Sequence, residues 1–256
     1  MLLREITDTL ERLAPVALAE PWDNVGLLVG DPSQEVRAAM LAIDATREVI
    51  DEACAAGCEL ILAYHPVIFD GLKRVTAGSP AWELVRRGIA VYSPHTALDV
   101  AEGGTNDVLA EVVGIAAPRP LRVTRPELGR GLGRVGDLDA IERGALLEVI
   151  REGLGVERLL VAGPEAGVVT RAAVGAGACG DLYRDALRAG AGLYLTGEMR
   201  HHDALRAASE GMTVVCALHS NSERVALTRL AARLSSELPA VRFTRSTRDR
   251  DPFTVR

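Results

Sequence analysis

Aromatic residues are scarce in this sequence, at 4% of its 256 residues, so Ala, Val, Leu and Ile must build most of the core. Positive charge is not in excess either, because the net charge is −6, which argues against extensive binding to a nucleic-acid backbone. No apolar run approaches the roughly 18 residues of a membrane span, and the N-terminus carries charges where a signal peptide would need an apolar run. These absences predict a globular cytoplasmic protein without a membrane partner and with no nucleic-acid partner.

Motifs of several common site classes are also absent. The four cysteines form no Cys-x-x-Cys pair, so neither a structural zinc site nor a disulfide framework is expected. No Gly-x-Ser-x-Gly motif occurs, which leaves a serine hydrolase without support. The glycine-rich segment 175–181 matches neither the dinucleotide-binding pattern nor the Walker pattern, and it predicts a tight structural turn.

Strand-like apolar runs alternate with helix-like segments along most of the chain. The run Cys58–Ala63 is continuously apolar, as in a strand that is buried on both faces of a parallel sheet. The alternation predicts an α/β fold of two related α/β units, with mostly parallel or mixed sheets covered by helices.

A change of composition in the middle of the chain indicates a division into domains. Residues 116–136 are rich in Pro, Gly and Arg, and this segment is the best linker candidate. We therefore expect a first domain of residues 1–120 with 225–256 and a second domain of residues 121–224. The functional site is expected at their interface.

All five histidines come directly after predicted strands: His65, His95, His201, His202 and His219. A single histidine at a strand end is usually a polar cap. Ligand crevices of open α/β sheets form at the carboxyl ends of strands, however, so five histidines in the same structural position favour a site there.

Two of these histidines begin a His-x-x-x-carboxylate pattern, His95 with Asp99 and His219 with Glu223. Imidazole nitrogen and carboxylate oxygen together form the ligand set of Zn, Mn, Fe and Co sites. The alternative for each pair is a capping arrangement at the start of a helix. Asp44, at another strand end, is either a site residue or the cap of the next helix.

Five segments in the same order give the chain its resemblance to a known family. They are Trp22–Leu27, Tyr64–Phe69, His95–Asp99, Thr196–His202 and His219–Glu223. In these segments the chain resembles the NIF-three-like dinuclear metal centre proteins, also called GTP cyclohydrolase 1 type 2 homologues.

The resemblance implies two divalent metal ions per subunit, with Zn, Fe, Mn and Co as candidates. By this resemblance His65 and Asp99 bind one ion, His219 binds the other, and Glu223 bridges both. The resemblance also implies the NIF-three-like fold and assembly into a homohexamer.

Tyr64 departs from the family pattern, which usually has a histidine as first ligand at this position. A neutral phenol is a poorer ligand than imidazole at pH 7, because its pKa is about 10. The second ion is therefore expected to bind weakly, unless the cations lower the pKa of the phenol enough for Tyr64 to bind as phenolate.

Two functions follow from these residues. The first is a metal-dependent hydrolase acting on a nucleotide-like or other small substrate. Its general acid or base would come from Glu198, His95, His201 or His202. The second is a non-catalytic metal-binding or regulatory scaffold, which the loss of a histidine at Tyr64 would suit.

Overall fold

The structure is a computed structural model that describes residues 1–254. The chain divides into two compact units. Unit 1 comprises residues 1–101 and 227–252, and unit 2 comprises residues 102–226 with residues 253 and 254. Within residues 1–254, every helix is too short or too polar to cross a membrane.

Strands and helices alternate in both units, as the sequence predicts. The strands are β1 (Gly26–Val29), β2 (Ala38–Ala42), β3 (Leu60–Ala63), β4 (Ala90–Ser93), β5 (Ala116–Arg125), β6 (Arg130–Glu142), β7 (Leu160–Ala162), β8 (Val168–Gly175), β9 (Leu193–Thr196), β10 (Thr213–Cys216) and β11 (Arg242–Arg245). The helices are α1 (Leu3–Leu13), α2 (Arg47–Ala55), α3 (Pro80–Arg87), α4 (His95–Val100), α5 (Thr105–Val113), α6 (Arg143–Leu154), α7 (Tyr183–Arg188), α8 (His201–Ser209) and α9 (His219–Glu237).

Unit 1 is built on a five-stranded sheet in the order β1-β4-β3-β2-β11. Strand β1 pairs antiparallel with β4, and the other neighbours pair parallel. Helices α2 and α3 cover one face, where Val49, Ile50 and Leu84 pack against apolar side chains of β2, β3 and β4. Every residue of β2 and β3 is buried, which explains why these strands read as continuous apolar runs.

Unit 2 is built on a six-stranded sheet in the order β5-β6-β8-β9-β10-β7. Strands β8, β9 and β10 are parallel, and the remaining pairs are antiparallel. Helices α5 and α6 cover one face of this sheet, and α7 and α8 cover the other. Both cores consist mainly of Ala, Val, Leu and Ile, as the scarcity of aromatic residues predicts.

The two units repeat one arrangement, which confirms the prediction of two related α/β units. In unit 1 the parallel strands β2, β3 and β4 are flanked by the antiparallel strand β1. In unit 2 the parallel strands β8, β9 and β10 are flanked in the same way by β7. The helices that follow β4 and β10 begin at His95 and His219, so these two histidines occupy equivalent places in the repeat.

The Pro- and Gly-rich segment 116–136 is not a linker, contrary to our expectation from its composition. It forms most of the antiparallel hairpin of β5 and β6 in unit 2. Strand β5 lies at the edge of its sheet and tolerates Pro118 and Pro120, because an edge strand leaves part of its N–H groups unpaired in any case. The predicted domain boundary at residue 120 therefore falls inside a strand, and the compact units divide instead after Ala101.

Candidate metal centre

In unit 1, the end of β3 places His65 beside Asp44. Strand pairing continues past the two strands, because the Tyr64 and His65 N–H groups donate to the carbonyls of Ala42 and Ile43 at 2.9 Å each. This register brings His65 Nδ1 to 2.9 Å from Asp44 Oδ1. A carboxylate on Nδ1 keeps the proton on that nitrogen and leaves the Nε2 lone pair for a metal ion.

The alternative role for Asp44, the cap of the following helix, belongs to another residue. The cap of α2 is Thr46, whose hydroxyl accepts the Val49 N–H at 3.4 Å. The sequence pattern could not separate the two roles, because both place an oxygen acceptor in the turn between a strand and a helix.

Tyr64 is fully buried, and its hydroxyl donates a hydrogen bond to Oδ1 of Asp99. Asp99 lies on α4 and is itself buried. Tyr64 thus orients a carboxylate that the family resemblance assigns as a ligand. Tyr64 stands at the sequence position where the resemblance leads us to expect a ligating histidine.

His95 begins α4 with a φ of 27°, an uncommon conformation for a residue with a Cβ atom. Its Nδ1 lies 2.8 Å from Oδ1 of Asp23, whose side chain is fully buried. Burial raises the pKa of Asp23, but hydrogen bonds from His95 and Thr96 outweigh burial and lower that pKa below its ordinary value. The ring centroid of His95 lies 5.3 Å from that of His65.

In unit 2, His219 begins α9 and contacts two carboxylates. Its Nδ1 lies 2.9 Å from Oε1 of Glu198, and its Nε2 lies 3.2 Å from Oε1 of Glu223, one helical turn further along. Glu223 is 2% exposed. Leu218, just before the helix, has a strained φ of 71°, whereas in unit 1 the positive φ lies at His95, the first residue of the helix itself.

The space beside these two side chains exists because residue 177 is a glycine. Gly177 has a φ of 60°, and a Cβ atom there would lie 2.6 Å from Glu223 Oε1 and 3.1 Å from His219 Nε2. The Gly177 N–H donates to the Ser222 hydroxyl at 2.9 Å, which holds the turn against α9. The glycine-rich segment is thus a structural turn, as predicted, and the turn cradles the donor atoms of His219 and Glu223.

The remaining candidates of the sequence lie at the surface of unit 2. His201 and His202 begin α8, are both exposed, and have ring centroids 5.3 Å apart. Glu198 is a candidate for the general acid or base, and in the structure its carboxylate contacts Nδ1 of His219. A cleft of about 500 Å³ opens beside it, with Arg200 and Asp203 on its wall.

The donor set in each unit suits a divalent metal ion. Imidazole nitrogens with carboxylate partners on Nδ1, together with carboxylate oxygens of low exposure, match the ligands of Zn, Mn, Fe and Co. Sequence reasoning missed Asp23 as the partner of His95, because 72 residues separate the two and only the folded chain joins them. It also missed Gly177, whose role depends on the atoms that surround it.

Comparisons of the sequence with known proteins identify the family. The sequence model of the family Duf34/NIF3 (NGG1p interacting factor 3) matches residues 1–252. A GTP cyclohydrolase 1 type 2 homolog of Clostridium perfringens is 34% identical over 261 aligned residues, covering 99% of each chain.

Solved structures share the fold over the whole chain. A hypothetical protein of Staphylococcus aureus is similar with a TM-score of 0.90 and 26% identity, covering 100% of this chain and 99% of that one. A Bacillus cereus protein related to NIF3 has a TM-score of 0.91 at 24% identity, with the same coverage, and this likeness supports the fold alone. The chain belongs to the Duf34/NIF3 family.

Proposed function

We propose that this protein binds divalent metal ions through His65, Asp99, His219 and Glu223 and hydrolyses a small nucleotide-like substrate with them. One observation carries the proposal. His65 and His219 each have a carboxylate on Nδ1, at 2.9 Å in both cases, so each directs Nε2 toward a prospective ion. This carboxylate–histidine pairing is typical of histidines that bind metals.

The assignment of ligands to two ions follows the family resemblance. By this resemblance His65 and Asp99 would hold one ion, His219 would hold the other, and Glu223 would be a ligand of both. The low exposure of Asp99 and Glu223 supports this assignment, because carboxylates are rarely buried unless they are paired or coordinate a cation. Zn, Fe, Mn and Co all suit these donors.

A pair of divalent ions held by these residues would supply activated water and polarise a carbonyl, imine or phosphoryl group. The side chains of the protein would orient the ligands and transfer protons. Asp44 and Glu198 hold the protons on Nδ1 of the two ligating imidazoles, and Tyr64 orients Asp99. For proton transfer we propose His95, His201 and His202. His95 is fixed by Asp23, whereas the other two lie exposed on α8.

The substrate class rests on the size of the cleft and on the names of relatives. A cleft of about 500 Å³ beside Glu198 lies within the range of small-molecule sites. Relatives carry the name GTP cyclohydrolase 1 type 2 homolog, which supports a nucleotide-like substrate.

Turnover tests the proposal. Nucleotides and phosphoesters are screened with Mn, Zn, Fe or Co added back, and wild type is compared with Glu223→Ala and with the surface control Glu148→Ala. We expect metal-dependent turnover in wild type and in the control, and none in Glu223→Ala. Turnover that survives both metal removal and Glu223→Ala would refute the proposal.

A non-catalytic metal-binding scaffold is the second candidate, and the contact of Tyr64 with Asp99 favours it. A phenol that donates to Asp99 adds no imidazole to the site, so one ion has fewer strong ligands. Metal retained without turnover across the whole screen would favour this candidate. On the resemblance alone we also propose a cytoplasmic homohexamer, for which sedimentation of the purified protein is the test.

A further inference from the structure

Trp22 and Phe69 form a pair of exposed aromatic rings in unit 1. Their ring centroids lie 5.8 Å apart and the planes are tilted by 41°. Trp22 is 59% exposed and Phe69 is 49% exposed, whereas all four tyrosines of the chain are buried. A chain with so few aromatic side chains therefore leaves two of them together at its surface.

The backbone beneath these rings is held by polar contacts. Asp23, next to Trp22, accepts hydrogen bonds from the Thr96 N–H and hydroxyl in addition to the His95 contact. Asn24 Nδ2 donates to the carbonyl of Ile68, next to Phe69, at 2.6 Å. The two loops are thus fixed to α4 and to each other, so the rings present a preformed surface.

This surface adjoins the candidate metal ligands of unit 1. The Trp22 ring meets His95 edge-on, with centroids 6.0 Å apart and planes at 74°. His95 in turn lies 5.3 Å from His65 between centroids. A planar ligand that stacks on the exposed aromatic rings would therefore lie beside the imidazoles of the proposed site.

The loop that follows Phe69 carries positive charge. Asp70, Lys73 and Arg74 are all exposed there, and their formal sum is +1. Lys73 is also the one lysine among the 29 Lys and Arg residues of the chain. An anionic group attached to an aromatic ring would find a cationic ammonium and a guanidinium on this loop.

We propose that Trp22 and Phe69 stack the heteroaromatic ring of a nucleotide whose phosphate faces the loop bearing Lys73 and Arg74. This inference rests on the proposed function, since it names residues that would bind the proposed nucleotide-like substrate. Stacking on aromatic side chains tolerates any base, so this surface selects the class of ligand and not one nucleobase.

Tryptophan fluorescence tests the inference, because the chain has only two tryptophans. In a Trp82→Phe background all emission comes from Trp22. Guanosine, GMP and inorganic phosphate are titrated into this protein, with metal content measured on the same samples. We expect GMP to quench the emission most strongly, guanosine to quench it less strongly, and phosphate to have no effect.

Substitutions locate the binding. Phe69→Ala should weaken GMP binding by about tenfold, the size expected for loss of one stacking contact. Phe253→Ala removes a Phe that is 71% exposed and should leave binding unchanged. Lys73→Ala should weaken GMP binding and leave guanosine binding unchanged, whereas Lys73→Arg should preserve both.

The outcomes separate this inference from the proposed function. Bound metal without any GMP quenching would overturn the inference and leave the metal site standing. GMP quenching in protein that binds no metal would support the inference and refute the proposed metal site. If Trp22 emission changes with protein concentration and does not change with GMP, the two rings form a contact between copies of the chain. This result would also overturn the inference.

Discussion

Substitution of Gly177 tests whether the turn at this residue leaves the space that the donor atoms of His219 and Glu223 need. An alanine there adds a Cβ atom 2.6 Å from Glu223 Oε1, about 1 Å inside an ordinary contact of about 3.5 Å. Ligand distances in metal sites lie within about 0.2 Å of their standard values. Gly177→Ala should therefore displace the carboxylate by more than a bound ion can accept.

Backbone strain must be separated from this effect. Gly177 has a φ of 60°, so alanine costs roughly 1–2 kcal/mol there whatever its neighbours are. Gly155, after α6, has a φ of 66° and nothing within 4 Å of an added Cβ. Gly155→Ala is thus a matched control that introduces the same strain without touching the proposed ligands.

Metal content and thermal unfolding are the assays. In chelated protein both variants should melt lower than wild type, by about 2–4 °C for each kcal/mol lost. After metal is added back, Gly155→Ala should regain the stabilisation seen in wild type, whereas Gly177→Ala should regain little and retain less metal. Equal metal retention in the two variants would refute the assignment of Gly177 as a cradle.

Three further predictions concern other residues. Glu198→Gln should weaken metal binding by about 10–100-fold, measured in competition with a chelator, because the carboxylate no longer accepts the proton of His219 Nδ1. The melting temperature of the chelated protein should stay unchanged. Tyr64→His should raise the number of metal ions retained per chain, and Tyr64→Phe should not, because imidazole replaces a phenol that donates to Asp99; equal metal content in the two variants would contradict this. Burial raises the pKa of Glu52, but hydrogen bonds from Ser246, Thr247 and Arg248 lower it from 4.5 to about 2. A lowered pKa in the folded state stabilises the fold above the unfolded value near 4.5, and this stabilisation disappears as the pH falls toward 2. Glu52→Gln should accordingly cost about 1–2 kcal/mol at pH 7, after a reduction for solvent screening, and the gap to wild type in urea unfolding should narrow at pH 3.

Local signals in the sequence predict the regular elements well. Helix α3 is an example, because Ser79 caps its start, Pro80 fits the first turn and Gly88 ends it in a left-handed conformation. The sequence does not predict the β5–β6 hairpin, because prolines and glycines at a sheet edge resemble those of a linker. Whether a strand lies at the edge depends on the rest of the sheet, so the sequence of the strand alone does not predict it.

The candidate site was predictable to the level of its strand-end histidines. The two His-x-x-x-carboxylate patterns lie on α4 and α9, where the spacing puts both groups within one helical turn. The partners on Nδ1 were not predictable, since Asp44 and Glu198 each lie 21 residues before the histidine that they contact. Such pairs form only when neighbouring strands are in register.

The most direct test of the metal centre is the metal content per chain of protein purified without chelators, measured for wild type, His65→Ala and His219→Ala. Our account predicts bound divalent metal in wild type and a loss of metal in each variant. Wild-type protein that retains no divalent metal after reloading, or metal that persists unchanged in both variants, would contradict it.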